Sequence, residues 1–507
     1  MNAPWLSLLL WLPMLAALTI IVLPTSNPRA FRGIALASGL GMLALSLMLV
    51  WQAAPLVQGL APGGVLFLES YSWMPELGIT YKLGLDGLSL PMVLLTGIIS
   101  AAALAMSHNV STRPREFYAL TLVAICGAMG TFLALDLFFF ILFYELASIP
   151  MFFLVGIWGS DKSGSGRTIT RNSAATKILI YLQAGGGMVL LGLLGAYFWS
   201  GANSFDLEIL RTVHYAPHIQ KLLFAFLFIG FGIESGLFPF HTWLPDGHSC
   251  APTPLSMLLA GVLLKMGGYG ILRFAFELFP QGALEMMPYF AVLGVINLIY
   301  GGLCALRQTD IKVMIAYSSV SHMGMVFLGL SCINASKQPA AMFGLTGAML
   351  QMFSHGIITA LLFGVAGTVY EVTHARDFRK WGGLAAQTPR FATFFVIGAL
   401  ASLGLPGFTG FPSELSVFLG LYQTDQILCI LAIFGLILTT TYLLRSVQMG
   451  FFGPLNPKLS HVRDANATEL VVFSLLTFTT VLFGFYPQPL VALFQNALQN
   501  LGGGFSL

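Results

Sequence analysis

Apolar stretches of roughly 20 residues, the length a helix needs to cross the hydrocarbon core of a bilayer, recur along the whole chain. Read against Pro, Gly and charge punctuation, they predict fourteen spans, centred near residues 14, 43, 96, 125, 148, 187, 229, 263, 295, 322, 355, 402, 437 and 481. The longest connections, at 54 to 85, 159 to 172 and 201 to 218, leave no room for a soluble domain of any size. The expected fold is an all-α polytopic membrane protein. Its first span, Trp5 to Leu23, has no basic segment before it and no small-residue cleavage site after it, so it is expected to be retained rather than removed as a signal peptide.

Two of the apolar runs are interrupted. Pro239 and Pro245 break Glu234-Ser-Gly-Leu-Phe-Pro-Phe-His-Thr-Trp-Leu-Pro245, and Leu403-Gly-Leu-Pro-Gly-Phe-Thr-Gly-Phe-Pro-Ser-Glu414 does the same five spans later. Broken backbone at membrane depth persists only where protein or a water-filled cavity satisfies the freed amide and carbonyl groups. Breaks in spans seven and twelve predict two inverted five-helix repeats. On that reading residues 1–110 hold helices 1 to 3, 111–280 the first repeat (helices 4 to 8), 281–455 the second (helices 9 to 13) and 456–507 helix 14. Ordinary proline kinks are the plainer alternative.

Composition agrees with this solvent: 57% of residues are hydrophobic, 8% are charged, and the mean hydropathy is +0.83. With the N-terminus outside, sixteen of the 23 Lys and Arg fall in the cytoplasmic connections. Only Lys82, Arg211, Lys221, Arg273 and Lys337 fall on the other face, with Lys177 and Lys265 inside spans. Short cytoplasmic loops collect Lys and Arg, so both termini are expected on the periplasmic or lumenal side. The net charge of +3 then reflects orientation, and nothing points to a nucleic-acid partner. Cys126, Cys250, Cys304, Cys332 and Cys429 form no CxxC pair and read as small packing residues. Ser163-Gly-Ser-Gly166 lacks the context of a nucleotide fingerprint and reads as a flexible turn, and Gly185-Gly-Gly187 as a close helix contact.

Five ionisable side chains, Glu145, Glu234, Lys265, His322 and His355, lie inside the apolar runs. A charge at the bilayer centre costs at least about 2.5 to 3.5 kcal/mol, so such residues face a protein interior or a water path. Each has a duller reading: an ion-pair partner for Glu145, a snorkelling stem for Lys265, a histidine satisfied by a hydroxyl such as Ser318 or Ser354. Glu414, behind Pro412, could cap backbone amides instead. Lys177 and Lys312 lie near predicted cytoplasmic ends, where proton entry and simple snorkelling are both open.

Four stretches carry a resemblance: Phe238-Pro-Phe-His-Thr-Trp-Leu-Pro-Asp246, Leu258-Leu-Ala-Gly-Val-Leu-Leu-Lys-Met-Gly-Gly-Tyr-Gly270, Asp310-Ile-Lys-Val-Met-Ile-Ala-Tyr-Ser-Ser-Val-Ser-His322 and Leu403-Gly-Leu-Pro-Gly407. With Leu83-Gly-Leu-Asp-Gly-Leu-Ser-Leu90 and Thr373-His-Ala-Arg-Asp377, they resemble the antiporter-like membrane subunit M of respiratory complex I. The photosynthetic complex of cyanobacteria and chloroplasts has the same antiporter-like component under another letter. The resemblance implies a fourteen-helix subunit of an ion-translocating oxidoreductase in a bacterial inner or thylakoid membrane. It would hold no redox centre and move protons, while partner subunits with FMN and iron-sulfur clusters pass electrons from NADH or ferredoxin to a quinone. Its partners would be other antiporter-like membrane-arm subunits and the core subunits.

By the same resemblance Glu145 is the span-five carboxylate, Lys265 the central lysine of span eight and Glu414 the terminal carboxylate of span twelve, with His322 and His355 on the hydrated axis between them. A buried Lys or Glu exchanges protons only when its surroundings bring its affinity toward neutrality, whereas a neutral histidine passes protons without a large shift. One position departs from the pattern: the family usually has a lysine, paired with the span-five Glu, where this chain has Glu234. Two carboxylates cannot readily both ionise at close range, so Glu145 and Glu234 could share a proton, or Glu234 could seek Lys177 or Lys265. An Mrp-type cation/proton antiporter subunit is a second reading. A third is a largely structural subunit of a specialised complex with altered or impaired pumping, for example one serving inorganic-carbon uptake.

Overall fold

The computed structural model describes residues 4–57, 64–164, 167–335 and 339–504. Lys337 and residues 165–166 of the expected flexible turn lie outside them. Among the described residues, twelve helices are long and apolar enough to cross a membrane. In chain order the first six are α1 (Trp5–Val22), α2 (Pro28–Val57), α3 (Ser89–Met106), α4 (Pro114–Leu133), α5 (Leu137–Trp158) and α6 (Arg171–Ser200). After the short α7 (Leu207–Leu210) comes an interrupted helix, α8 (Pro217–Glu234) and α9 (Trp243–Cys250). The span Thr253–Phe276 contains α10 (Thr253–Leu258) and α11 (Leu264–Gly270), with π-helical turns at Leu259–Leu263 and Ile271–Phe276. There follow α12 (Pro280–Arg307), α13 (Ile311–Ser331) and α14 (Pro339–Thr373). A second interrupted helix is formed by α15 (Pro389–Ser402) and α16 (Gly410–Thr424), before α17 (Gln426–Phe451), α18 (Ala467–Phe485) and α19 (Gln488–Gly504).

The first interruption contains Pro239 and the second Pro406, whereas Pro245, expected to break the chain, falls in the first turn of α9, where its missing amide costs no helical bond. The structure shows what makes the interruptions tolerable. Between α8 and α9 the freed backbone groups are taken up by one side chain of α12. The fully buried Asn297 accepts from Phe238 N at 2.6 Å and donates to Gly236 O at 2.9 Å, while Trp243 Nε1 donates to Ile233 O at 3.0 Å. Between α15 and α16, Thr409 N donates to Thr480 O of α18 at 3.0 Å. Each unsatisfied amide or carbonyl in an apolar interior costs roughly 1 to 3 kcal/mol, which is why neighbouring helices must supply partners. The Asn297 contribution was not legible in the sequence, where it is one polar residue in an apolar run.

The bundle has a clear centre. The apolar windows of Thr253–Phe276 and α14 are 100% buried inside this one chain, against 33% for α2 and α18. The outer helices therefore turn their sides to lipid or neighbouring subunits, and the central ones can hold polar groups away from both. N-terminal caps start several helices where the sequence has an acid or amide: Asp136 for α5, Asp310 for α13, Asp425 for α17, and Asn466, in a capping box with Glu469, for α18.

Two features depart from a purely helical reading. In the 54 to 85 connection, β1 (Leu66–Met74) and β2 (Ile79–Leu85) form an antiparallel hairpin, clamped to α1 because Glu69 accepts from Leu6 N (2.8 Å), Ser7 N (3.0 Å) and Ser7 Oγ (2.5 Å). A smaller pair, β3 (Lys162–Gly164) with β4 (Arg167–Ile169), occupies the next long loop. Arg273, expected in an exposed connection, is instead only 3% exposed inside the second π turn. It is compensated there by Asp86 at 2.5 Å and Glu277 at 3.1 Å, and Glu277 in turn binds Arg211 at 3.2 Å.

Candidate functional site

Four of the expected site residues converge in the centre of the bundle. Lys265 is the second residue of α11, directly after a π turn, and is fully buried. Its ammonium donates to the carbonyl of Ala260 within that turn and lies 2.7 Å from Nδ1 of His355 on α14. Wide turns of this kind shift the register of the helix and leave a carbonyl available to a side chain. The ring of His355 faces that of His322 on α13 at 5.5 Å between centroids. His322 Nδ1 lies 3.8 Å from Oε1 of Glu414 on α16, completing a row of lysine, histidine, histidine and carboxylate.

The row is lined by hydroxyl and amide groups. His322 contacts Ser402 Oγ through Nε2 at 3.0 Å and Gln351 Nε2 through Nδ1 at 3.1 Å, and Ser413 Oγ donates to Gln351 Oε1 at 2.5 Å. These partners replace the expected Ser318, and Ser354 donates to Thr409 rather than to its neighbour His355. Nε2 of His355 is buried without a partner. Beside it is a cavity of about 10 Å3, lined among others by His322, His355, Ser402 and Glu414, on the scale of a single water. Glu414 caps no helix, since α16 has no side-chain cap; it faces the cavity and is 4% exposed.

Glu145 and Glu234 form a second cluster. Glu234 ends α8, is 1% exposed, and neither of its carboxylate oxygens has a hydrogen-bond partner. The Tyr144 hydroxyl, also unpartnered, approaches it without reaching hydrogen-bond geometry, and Glu145 is the charged group that acts on it. Glu145 is half-buried on the α5 surface and accepts from Gln183 Nε2 of α6 at 2.5 Å. Glu234 pairs with neither lysine offered by the sequence. Lys177 binds Asp246 at 2.8 Å, tying α6 to α9, and Lys265 is engaged by His355. The clusters are linked where Ser235 Oγ, next to Glu234, donates to the carbonyl of Leu264, next to Lys265, at 3.1 Å.

Three further residues border the site: His248 and Gly404, which were not singled out from the sequence, and Gly186, which was read only as part of a helix contact. His248, on α9, is fully buried with both ring nitrogens unpartnered, stacked on Phe363 of α14 at 4.5 Å; the charges of Lys312 and Lys265 both act on it. Gly186 and Gly404 are each packed against a site carboxylate: a Cβ at Gly186 would overlap Oε1 of Glu145, and one at Gly404 would overlap Oε2 of Glu414. Gly404 also has φ +66°, a conformation that favours glycine. Gly185-Gly-Gly187 was expected as a helix contact, which Gly185 makes against Gly230 and Ile233, while Gly187 has no neighbour. Lys312 is 2% exposed and lines a 370 Å3 cavity at the Lys/Arg-rich face of the bundle, which Lys177 does not reach.

A bundle whose central spans are wholly buried and carry a row of ionisable groups defines a polytopic membrane protein with polar chemistry in its interior. Residues 134–439 match the family model described as NADH:quinone oxidoreductase/Mrp antiporter, transmembrane, and the chain belongs to that family. It is 41% identical to NAD(P)H-quinone oxidoreductase chain 4 1 of Synechococcus elongatus, over 96% of this chain and 89% of the relative. A subunit of respiratory complex I from Thermus thermophilus with bound NADH has the same fold, with a TM-score of 0.85, 27% identity and coverage of 98% of this chain and 99% of that one. A chain of the Mrp complex from a Dietzia species shares the fold at 20% identity, TM-score 0.84, over 100% of this chain and 98% of the other.

Proposed function

We propose that this chain is a proton-translocating membrane-arm subunit of a complex I-type NAD(P)H:quinone oxidoreductase, carrying protons through Lys265, His355, His322 and Glu414. The observation that supports it best is their buried, consecutive placement, with each pair within reach of a direct or single-water transfer. The 2.7 Å contact lets the Lys265 ammonium hand a proton to His355 Nδ1. The imidazole releases one from Nε2 toward the small cavity, and His322 relays it to Glu414 across 3.8 Å. Entry is assigned to the Lys312 cavity with His248 as the step inward. Lys177, bound to Asp246 at a partly exposed position, is assigned a structural role.

In this reading Glu145 and Glu234 share a proton and take the place of the carboxylate–lysine pair. The electron donor, FMN, iron-sulfur clusters and quinone belong to partner subunits. Both termini lie on the face opposite the Lys/Arg-rich connections, and residues 111–280 and 281–455 are the two inverted units, each containing one interrupted helix. The test is proton uptake by the intact complex in sealed vesicles, with electron transfer measured in parallel. Lys265→Met, His322→Ala and Glu414→Gln are each expected to reduce proton movement at least tenfold. An assembled complex that pumps normally with all three substitutions would refute the proposed path. The family description also covers Mrp antiporters; copurification with flavin and iron-sulfur subunits is the expected result, and their absence would favour the antiporter.

A further inference from the structure

The two charged faces of this bundle differ in how their cations are satisfied. On the hairpin side, Lys82 binds Asp206 and Glu208, Arg211 binds Glu277, Lys221 binds Glu285 and Arg273 binds Asp86 and Glu277. Around the 370 Å3 cavity of the opposite face, three cations converge, Arg171, Lys312 and Arg376, and among the described residues none of them has a carboxylate within ion-pair distance. Lys312 is 2% exposed, yet its ammonium, with three donors, donates to the Ala251 carbonyl at 3.0 Å and to no carboxylate. Arg376 spends one Nη on the Ser249 carbonyl and the other on Ser160 Oγ at 2.6 Å, lies over the Tyr370 ring, and keeps a buried Nε without a partner. Arg171 donates one Nη to Ile157 O at 3.0 Å.

The acids nearby are already committed. Glu371, the carboxylate in the cavity wall, accepts from Asn109 at 2.5 Å and Thr253 at 3.4 Å, and Asp310 caps α13 through Lys312 N and Val313 N. Burying cations without counter-charge is costly, and a surplus of positive charge repels the very protons that an entry vestibule admits. A cavity of this volume is also at the size of a small-ligand site rather than of one or two waters.

We infer that this cavity binds a phosphate-type oxyanion, held between the guanidinium groups of Arg171 and Arg376 and the Lys312 ammonium, as the phosphate of an anionic lipid headgroup or as free phosphate. Planar guanidinium forks match the oxygens of a phosphate two at a time, and Arg376 is fixed in place by its carbonyl and hydroxyl contacts. Trp158, also in the lining, gives an anchored headgroup an apolar wall. Occupancy would place negative charge at the mouth of the proposed entry route.

The test uses the purified intact complex, stripped of lipid and compared with an Arg171→Gln/Arg376→Gln variant. Binding of ³²P-labelled orthophosphate is measured by equilibrium dialysis, and retention of phosphatidylglycerol against phosphatidylcholine by native mass spectrometry. Saturable phosphate binding weakened at least tenfold in the variant supports a free-anion site. Stoichiometric phosphatidylglycerol retained by the unaltered complex and lost from the variant, without phosphate binding, supports a headgroup site. Arg171→Gln alone, at an exposed position, is expected to weaken whichever is seen at least threefold and covers the case in which the double variant does not assemble. Equal binding of both probes by unaltered and substituted complexes, or none by either, overturns the inference. None of these readouts depends on pumping, so the inference and the proposed function fail independently.

Discussion

The ammonium of Lys265 lies 2.7 Å from Nδ1 of His355, ninety positions further along the chain. That contact joins the two most deeply buried spans and makes the pair the start of the proposed proton row. His355→Ala is expected to reduce proton pumping at least tenfold with the complex still assembled, because removing the imidazole opens a gap that no other side chain of the row fills. His355→Gln restores an acceptor but not a relay, so it should assemble as the Ala variant does and leave pumping equally low. Vesicle proton uptake, normalised to electron transfer, reads both.

Glu234 stands where the resemblance leads one to expect a lysine. Because its carboxylate has no hydrogen-bond partner and Glu145 is its charged neighbour, Glu234→Gln should assemble normally. Glu234→Lys would create an ion pair with Glu145 and is expected to change the ratio of protons moved to electrons transferred. If that ratio and the assembled structure are both unaltered by Glu234→Lys, the acidic dyad has no specialised role.

Asn297 holds the first helix break together. Replacing it with Leu leaves Phe238 N and Gly236 O without their partner, at a cost of roughly 1 to 3 kcal/mol for each group. Hydrogen exchange over residues 234–243 should accelerate sharply, with little change at the second break. Uniform acceleration across the protein would instead mean that Asn297 acts through general packing.

Gly404→Ala tests the second carboxylate from outside the row. The new methyl group would collide with Glu414 in a backbone conformation that already disfavours alanine. Pumping is expected to fall several-fold with electron transfer retained in part, whereas Gly187→Ala, which meets no neighbour, should be neutral in the same assay.

The Asp86–Arg273 pair supplies a pH signature on the hairpin face. Burial is the largest single influence and opposes the charge on Asp86, but the Arg273 guanidinium and the hydrogen bonds from Ser89 together outweigh it and hold the carboxyl below its ordinary 3.8. A carboxyl depressed in the folded state stabilises fully above its unfolded pKa and loses that contribution as pH falls through the folded one. Asp86→Asn should therefore lower the thermal midpoint at pH 7, with the difference from the unaltered protein shrinking as pH falls below 3.8 toward the folded-state pKa. The loss should stay under the ~3–5 kcal/mol of a buried charge left alone, since Glu277 still contacts Arg273. A difference that stays constant with pH would assign the effect to packing.

Much of this was legible without coordinates. The fourteen predicted span centres fall in or at the ends of the observed helices, the two interruptions contain Pro239 and Pro406, and every intramembrane charge named from the sequence except Glu145 and Lys177 is buried. The β1–β2 hairpin was missed because the connection was read only for its lack of a domain, and the burial of Arg273 because an arginine at a predicted helix end looks like a loop residue until its two carboxylates arrive from elsewhere. His248 was hidden just beyond a motif quoted for its prolines.

What the sequence determined by itself is set by local rules: the solvent follows from hydropathy over roughly 20 residues, the breaks from proline's missing amide, and the candidate chemistry from the cost of charge in hydrocarbon. Tertiary structure alone decided the pairings. Lys265 meets His355 rather than Glu234, Lys177 turns to Asp246, Glu414 faces His322 across a cavity, and three cations are left facing one pocket. Those outcomes depend on the rotation and register of helices brought together from distant parts of the chain, and the period of a single helix carries no information about which face of another will meet it.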